Sequence, residues 1–266
     1  MPPAPVIVVR GVTKSFASTT SARPRRSAAG AGPVQALADV TVTIGDHEFV
    51  SILGPSGCGK STLIRIVAGL TGYDSGEVTV NGAPMVGPVP EVGVVFQTSN
   101  LLPWLTVQDN LMLGARLRRV SATETAARLA ALLPSLGLGG FEQRYPHELS
   151  GGMRQRVALG QALALDPAVL LMDEPFAALD ALTRDRLNVE LLRLWQARRQ
   201  TALLVTHSIL EAVFLSDRVL VMSPRPGTIA HERVIDLPRP RDPEHTRRDP
   251  QFQEHVNELA KLMGVF

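Results

Sequence analysis

GPSGCGKST, residues 54–62, is the stretch that decides the fold. It matches the pattern G-x-x-x-x-G-K-[ST], and it lies between a short apolar run, residues 49–53, and a segment with helical spacing from Lys60 onward. A strand, a glycine-rich turn and a helix N-terminus in this order direct backbone N–H groups and the helix dipole at one point. The stretch predicts a site for the phosphates of a nucleoside triphosphate. Lys60 is expected to reach the β- and γ-phosphates, and the Ser61 hydroxyl to bind Mg²⁺.

The composition limits the class of protein. With 266 residues the chain is long enough for one well-packed domain. Lys and Arg total 27 against 25 acids, and a net charge of +2 gives no argument for a nucleic-acid partner. The single cysteine, Cys58, excludes an internal disulfide, and we interpret it as a small residue of the loop rather than a nucleophile. No apolar run approaches the roughly 18 residues that span a bilayer, and the first residues do not form a secretion signal, so we expect a soluble cytoplasmic protein.

Short β-branched runs alternate with helical segments along the chain. This alternation predicts an α/β fold with a largely parallel central sheet. Residues 107–138 change to Ala, Leu and Arg at helical spacing, which predicts a separate helical layer, and residues 249–266 predict an amphipathic helix. Residues 18–33, rich in Ser, Ala, Gly, Pro and Arg, predict a flexible loop. The predicted strands are 6–9, 38–44, 49–53, 76–81, 92–96, 169–172, 202–206 and 218–222.

Two carboxylates, Asp173 and Glu174, end the apolar run 169–172. The carboxyl end of a buried strand is where α/β proteins place their ligands. We predict that Asp173 holds Mg²⁺ through water and that Glu174 activates the attacking water as general base. The alternative is a pair of acids that caps a helix, because Pro175 follows them. The phosphate loop in the same chain favours the catalytic interpretation.

A second glycine-rich turn, LSGGMRQ, spans residues 149–155 and precedes a predicted helix. The Ser150 hydroxyl, the backbone N–H groups and the helix dipole make it a ready anion site. Since the phosphate loop already surrounds a nucleotide from one side, a second anion site suggests that this turn closes over a nucleotide held by another copy. A plain N-capped helix is the alternative.

The ordered set of motifs resembles the ATP-binding subunit of an ABC transporter, over roughly residues 6–240. The resemblance implies a P-loop NTPase core at about 6–97 and 160–240, with an N-terminal antiparallel β subdomain. It also implies an inserted helical subdomain at about 98–159 and a tail at 241–266, all within one ABC ATPase domain. The activity it implies is Mg²⁺-dependent ATP hydrolysis.

The resemblance also assigns roles to single residues. Gln97 occupies the glutamine loop and would approach Mg²⁺, His207 is the switch histidine that would contact the γ-phosphate, and Asp180 of the D-loop would line the contact between two copies. Phe16 fits the aromatic position on which adenine stacks, a core phenylalanine being the alternative. The remaining ATP-binding residues implied are Gly54, Pro55, Ser56, Gly57, Cys58, Gly59, Lys60, Ser61 and Thr62. The implied signature, acting on the other copy, comprises Leu149, Ser150, Gly151, Gly152, Met153 and Gln155.

Three departures from the family pattern stand at Met153, where many relatives carry Gln, at Ser208, where Asp or Glu is usual, and at Gly160-Gln161, where Ala-Arg is common. None of them removes a predicted phosphate or metal ligand. We therefore expect an active ATPase, with a rate that these residues can alter.

A narrower resemblance is to the nitrate, sulfonate and taurine importer group. It rests on residues 102–107 (LPWLTV), 144–148 (RYPHE), 223–227 (SPRPG) and 237–241 (LPRPR). It implies a homodimer, or a pair of paralogous ATPase subunits, on the cytoplasmic face of the membrane beneath two permease subunits, with an external solute-binding protein as an indirect partner. Trp104 is the candidate anchor for the permease, unless it belongs to the core.

Two other classes of ABC ATPase compete with the importer interpretation. An exporter ATPase is separated from it by residues 102–107 and by the proline-rich segments near the end. Soluble ABC ATPases of DNA repair or translation usually carry coiled-coil insertions, zinc cysteines or tandem cassettes, and this sequence has none of these. The sequence does not identify the transported solute.

Overall fold

A computed structural model describes residues 4–17 and 32–265, and the loop predicted at 18–33 lies outside the described residues except for its last two positions. The strands are β1 (Pro5–Phe16), β2 (Val34–Gly45), β3 (Phe49–Leu53), β4 (Ser75–Val80), β5 (Ala83–Pro84), β6 (Val92–Val95), β7 (Val169–Asp173), β8 (Thr201–Val205), β9 (Arg218–Met222) and β10 (Ile229–Val234). The helices are α1 (Lys60–Val67), α2 (Val107–Leu111), α3 (Leu113–Leu117), α4 (Ala122–Ser135), α5 (Gly151–Leu163), α6 (Ala181–Arg198), α7 (Ile209–Leu215), α8 (His245–Arg248) and α9 (Pro250–Leu262).

The strands form two sheets. One is antiparallel, in the order β2-β1-β4-β5. The other has the order β10-β9-β3-β8-β7-β6, with parallel pairing from β9 through to β6 and β10 antiparallel at its edge. This arrangement confirms the predicted α/β fold with a largely parallel central sheet and an antiparallel N-terminal sheet.

The central strands β3, β7 and β8 are buried along their whole length, which explains why their sequences are predominantly apolar rather than alternating. Because successive side chains of a strand point to opposite faces, Val50 and Ile52 join one core cluster while Phe49 and Leu53 join another. Helix α1 covers the first face, and helices α2, α5, α6 and α7 cover the second. The carboxyl ends of the parallel strands therefore meet at one edge of a sheet that is covered on both sides.

Strand β1 is longer than the sequence predicts. The apolar pattern ends at Val9, but the strand continues to Phe16 through an irregularity in its pairing between Val9 and Val12. Gly11 lies within that irregularity with φ +59°, a left-handed conformation that glycine adopts without steric cost. The bulge interrupts the alternation from which the strand was predicted.

The predicted helical layer divides into the three helices α2, α3 and α4. Arg119 has φ +56° between α3 and α4, which breaks the helical path there. Asn110 of α2 is fully buried, accepts the Leu102 N–H at 2.8 Å and donates its amide to the carbonyls of Leu102 and Leu105 at 3.2 and 3.0 Å. This one side chain fixes the preceding loop, residues 101–106, against the helical layer.

The C-terminal helix α9 packs back on the domain, as the amphipathic pattern predicts. Its Phe252 and Leu259 are buried in the same core cluster as Phe214 of α7. Within residues 4–17 and 32–265, none of the helices has the length and apolar character needed to cross a membrane.

Candidate active site

The phosphate loop, residues 54–62, joins β3 to α1 in a shape that requires glycine. Gly59 has φ +112°, and a Cβ at this position would lie 2.9 Å from the Ala36 carbonyl oxygen and 2.6 Å from Leu37 Cδ2. Gly59 is also the N-cap of α1 and has no side chain to bond the N–H groups of the first turn. Those N–H groups and the positive end of the helix dipole are left for an anion.

Lys60 and Ser61 begin α1 on the inner side of the loop. The Lys60 ammonium donates to the carbonyl oxygens of Gly54 at 2.7 Å and Pro55 at 3.0 Å, so it lies across the loop. The Ser61 hydroxyl donates to Asp173 Oδ1 at 2.7 Å. Burial raises the pKa of the Asp173 carboxyl, and the Ser61 hydrogen bond and the Arg65 charge partly oppose that rise. The loop and the end of β7, which are 112 residues apart in sequence, meet at this bond.

The predicted metal ligands share one cleft. Ser61, Gln97 and Asp173 line a cavity of about 510 Å³ together with Arg65 and Phe96. Hydroxyl, carboxylate and amide oxygens are the donors that Mg²⁺ accepts, so the residues present fit the ion. Arg65 was not singled out from the sequence, although it stands four residues after Ser61 and hence on the same face of α1.

Glu174, the residue after Asp173, lies beside His207. Glu174 Oε2 is 3.3 Å from His207 Nδ1, and the two residues follow the neighbouring strands β7 and β8. Glu174 has φ +47°, a left-handed backbone that is costly for a residue with a Cβ and is often found at functional sites. The next helix, α6, begins at Ala181 and is capped by Asp180. The helix-capping alternative for Asp173 and Glu174 is therefore wrong.

The signature turn, residues 149–152, is built as the N-terminus of α5. The Ser150 hydroxyl accepts the Met153 N–H at 3.2 Å, and Ser150 is exposed. A Cβ on Gly152 would lie 2.9 Å from Thr183 Cγ2, so the turn packs closely on the first residues of α6. Among the described residues no hydrogen bond joins this turn to the phosphate loop of its own chain.

Asp180, the D-loop residue, is exposed next to the signature turn. Its Oδ1 accepts the Thr183 N–H at 3.0 Å, and this backbone hydrogen bond lowers the pKa of the Asp180 carboxyl. Leu179 stands between the two features, with its Cδ2 3.3 Å from where a Cβ on Gly151 would be. Signature turn and D-loop therefore form one exposed surface.

Two residues of the predicted signature set face inward. Leu149 and Gln155 are each 5% exposed, and the Gln155 amide donates to the Phe96 carbonyl at 3.3 Å. Met153 packs against the core cluster. The prediction that Gln155 acts on another copy is corrected: its side chain ties α5 to the residue before Gln97, because position 155 lies on the buried face of the helix.

The structure decides two alternatives that the sequence left open and gives the departure at Ser208 a structural role. Phe16 is 44% exposed at the end of β1, with Lys14 Nζ 5.4 Å from its ring centroid, so it is not a core residue. Trp104 is 69% exposed and is not a core residue either. Ser208 is the N-cap of α7, and its hydroxyl accepts the Glu211 N–H at 3.3 Å. Serine thus performs the capping that an acid also performs at this position.

Gly227→Ala is expected to weaken both the fold and the binding of nucleotide. A Cβ at Gly227 would lie 2.0 Å from the Cys58 carbonyl oxygen, so backbone of the phosphate loop or of the loop after β9 must move. We expect a loss of about 2 kcal/mol or more in the free energy of unfolding, measured by urea denaturation. Gly139→Ala is the control, because no heavy atom lies within 4 Å of a Cβ there. Equal unfolding midpoints for the two variants would contradict the contact.

Comparison with known proteins gives a consistent result. Residues 37–177 match the family model described as ABC transporter. The chain is 46% identical over 230 residues to an uncharacterized ABC transporter ATP-binding protein, MJ0412, of Methanocaldococcus jannaschii, covering 86% of this chain and 85% of that protein. It is 45% identical over 237 residues to the taurine import ATP-binding protein TauB of Burkholderia thailandensis, with 87% and 91% of the two chains covered. The nitrate import ATP-binding protein NrtD of Synechocystis sp. is 43% identical over 237 residues, with 87% and 89% covered.

Solved structures agree with these sequence matches. The ATP-binding cassette MJ0796, in a dimeric post-hydrolysis state bound to ADP and Pi, superposes with a TM-score of 0.72 at 30% identity, covering 86% of this chain and 98% of that chain. The phosphate loop, the paired acids after β7 and the signature turn thus belong to a fold that others in this group use to hydrolyse ATP. The chain belongs to the ABC transporter family, as an ATP-binding subunit that hydrolyses ATP.

Proposed function

We propose that this chain is the ATPase subunit of an importer for a small anion or organic solute of the nitrate, sulfonate or taurine type, and that two ATPase subunits share two ATP sites. One observation carries the shared sites. Ser150 of the signature turn is exposed at the N-terminus of α5, and the turn makes no hydrogen bond to its own phosphate loop among the described residues. The taurine and nitrate import proteins among the relatives support the class of solute.

Each proposed site uses residues of both subunits. Phe16 stacks on adenine, the phosphate loop and Lys60 hold the phosphates, and Ser150, Gly151 and Gly152 of the other subunit close over the γ-phosphate. Mg²⁺, held by Ser61, by Gln97 and by Asp173 through water, would neutralise charge on the phosphates. The division into a core and a helical subdomain at 98–159 stays a prediction.

The proposed chemical step is an in-line attack by water. Glu174 accepts a proton from the water as its oxygen bonds to the γ-phosphorus, and the bond from the γ-phosphorus to the β,γ-bridging oxygen breaks to leave ADP and phosphate. His207, whose Nδ1 lies 3.3 Å from Glu174 Oε2, would donate to a γ-phosphate oxygen. Closing of the dimer on ATP and its opening after phosphate release would drive the permease.

The proposed surface for the permease is the loop 101–106 that Asn110 fixes. Trp104 projects from it with 69% of its surface exposed. Aromatic anchors dominate many interfaces, and tryptophan is one of the residues enriched among them. We propose two permease subunits as partners, an external solute-binding protein as an indirect one, and a peripheral location on the cytoplasmic face of the membrane. No nucleic-acid partner is proposed.

The test is an affinity purification of the tagged Glu174→Gln variant from detergent-solubilised native membranes in the presence of Mg-ATP. A polytopic permease that co-purifies in roughly equal amount would support the importer. A permease without a neighbouring solute-binding protein in its gene cluster would favour an exporter ATPase instead. Recovery with DNA or ribosomes would sink the transport assignment and leave the ATPase standing.

Trp104→Ser is expected to reduce permease recovery in this purification by at least about tenfold, because an aromatic anchor at an interface contributes about 2 kcal/mol or more. ATP hydrolysis by the isolated subunit should change little, since Trp104 lies outside the nucleotide cleft. Val86→Ser, at a residue that is 97% exposed, is the matched control for loss of surface hydrophobicity. Full permease recovery with Trp104→Ser would contradict the docking surface.

A further inference from the structure

A loop outside the catalytic motifs lies against the phosphate loop. Residues 223–228, SPRPGT, connect β9 to β10, and we name them the brace loop. Arg225 Nε donates to the Gly57 carbonyl oxygen at 3.0 Å. Gly227 approaches so closely that a Cβ there would meet the Cys58 carbonyl oxygen. The brace loop therefore contacts two successive residues of the phosphate loop.

The brace loop is itself held rigidly. Within it, the Ser223 N–H donates to the Thr228 carbonyl at 3.0 Å, and the Thr228 N–H donates to the Ser223 hydroxyl at 3.0 Å. Gly227 joins it to β2, because its N–H donates to the Ala36 carbonyl at 2.9 Å and its carbonyl accepts the Ala38 N–H at 3.0 Å. Because the backbone of the brace loop is already ordered, a side chain on it loses less conformational entropy when it makes a contact.

The Arg225 guanidinium brings a positive charge to the phosphate loop. Its Nη2 lies 3.5 Å from the position of a Cβ on Gly57, so the group runs alongside the loop. Arg225 is exposed and makes no ion pair with an acid in the described part of the chain. A triphosphate held in the loop would carry several negative charges close to this cation, and charge-assisted contacts of arginine with phosphate are among the stronger polar interactions.

We propose that Arg225 is a positioning residue for the triphosphate, holding the Gly57–Cys58 peptide in place and adding a positive charge beside the phosphates. The proposal rests on the ATP site described above and is independent of the transported solute. It predicts a contribution to binding that grows with the number of phosphates. Water activation should be affected far less, because Glu174 and His207 lie at the ends of other strands.

The test is the binding of MgATP, MgADP and AMP to the full-length chain by calorimetry, comparing Arg225→Ala and Arg225→Lys with the unchanged chain. We expect Arg225→Ala to weaken the binding of MgATP about tenfold, the binding of MgADP less, and the binding of AMP hardly at all. Arg225→Lys keeps the charge but not the several N–H donors of the guanidinium, so its affinity for MgATP should lie between those of Arg225→Ala and the unchanged chain. In steady state KM for ATP should rise much more than kcat falls, and the melting temperature without nucleotide should stay the same.

Two further variants separate the possible outcomes. Arg118→Ala is the matched control, because Arg118 is also exposed and donates to a backbone carbonyl, that of Pro90 at 3.0 Å, away from the site. Unchanged MgATP binding in Arg225→Ala would overturn the proposal, and so would an equal loss for all three nucleotides with a lower melting temperature, which is the behaviour of a purely structural brace. Lys60→Ala tests the ATP site itself. If Lys60→Ala still binds MgATP normally, the ATP site is misplaced. If Lys60→Ala loses MgATP binding while Arg225→Ala binds MgATP normally, only the Arg225 assignment is wrong.

Discussion

Glu174→Gln is expected to bind MgATP and to lose about a thousandfold in turnover, with the dimer trapped in its ATP-bound form. The amide has nearly the shape of the carboxylate and can still meet His207 Nδ1, which lies 3.3 Å from Glu174 Oε2. It cannot accept a proton from water. The change should therefore remove the chemical step and leave untouched the binding step, which depends on the phosphate loop and the signature turn.

Two measurements on the same protein check this. Release of phosphate gives the turnover, and gel filtration with and without MgATP gives the oligomeric state. Glu77→Gln, at an acid on the exposed part of β4, is the control for loss of one carboxylate. Hydrolysis at the unchanged rate in Glu174→Gln would show that the general base is another group. A monomer in the presence of MgATP would show that closure does not follow from binding alone.

Much of this site could be predicted because its chemistry lies at the ends of buried strands. The runs 49–53, 169–172 and 202–206 are apolar except for Ser51 and Thr206, and in a parallel sheet their carboxyl ends must meet at one edge. The residues that follow them, Lys60, Asp173 and His207, are therefore brought together by topology. The motifs predict which side chains do the chemistry, and the strand pattern predicts that these side chains lie at the same edge of the sheet.

Other features depend on contacts between segments that are distant in sequence, and no local pattern shows them. Gln155 follows the signature glycines and was grouped with them, but the face of α5 that it occupies is turned toward Phe96. Asn110 is an ordinary polar residue in the sequence and becomes the anchor of loop 101–106 only because α2 buries it. The SPRPG segment was recognised as typical of a subgroup, while its contact with Gly57 required the fold.

Mixing two inactive variants is expected to restore ATP retention, because each ATP site takes its phosphate loop and its signature turn from different subunits. Both chains also carry Glu174→Gln, so that bound ATP is not hydrolysed. One carries Lys60→Ala, and the other Ser150→Asp, which keeps an N-cap for α5 but places a carboxylate where the partner's phosphates would lie. In a 1:1 mixture about half of the dimers are mixed, and each has one intact site out of two. Retained ATP should reach about a quarter of the parent level.

A second mixture makes the outcome decisive. Here one chain carries both Lys60→Ala and Ser150→Asp, and it is mixed with the parent, which is the chain that carries only Glu174→Gln. If the sites are shared, both sites of a mixed dimer are defective. Only the parent homodimers, about a quarter of the total, then retain ATP. If the signature turn instead served the nucleotide of its own chain, the first mixture would retain none and the second about half. Ser150→Asn, which caps the helix without charge, separates the repulsion of the phosphates from damage to α5. Shared sites thus require that the two mixtures retain equal amounts of ATP. No retention in the first mixture and about half in the second would exclude shared sites.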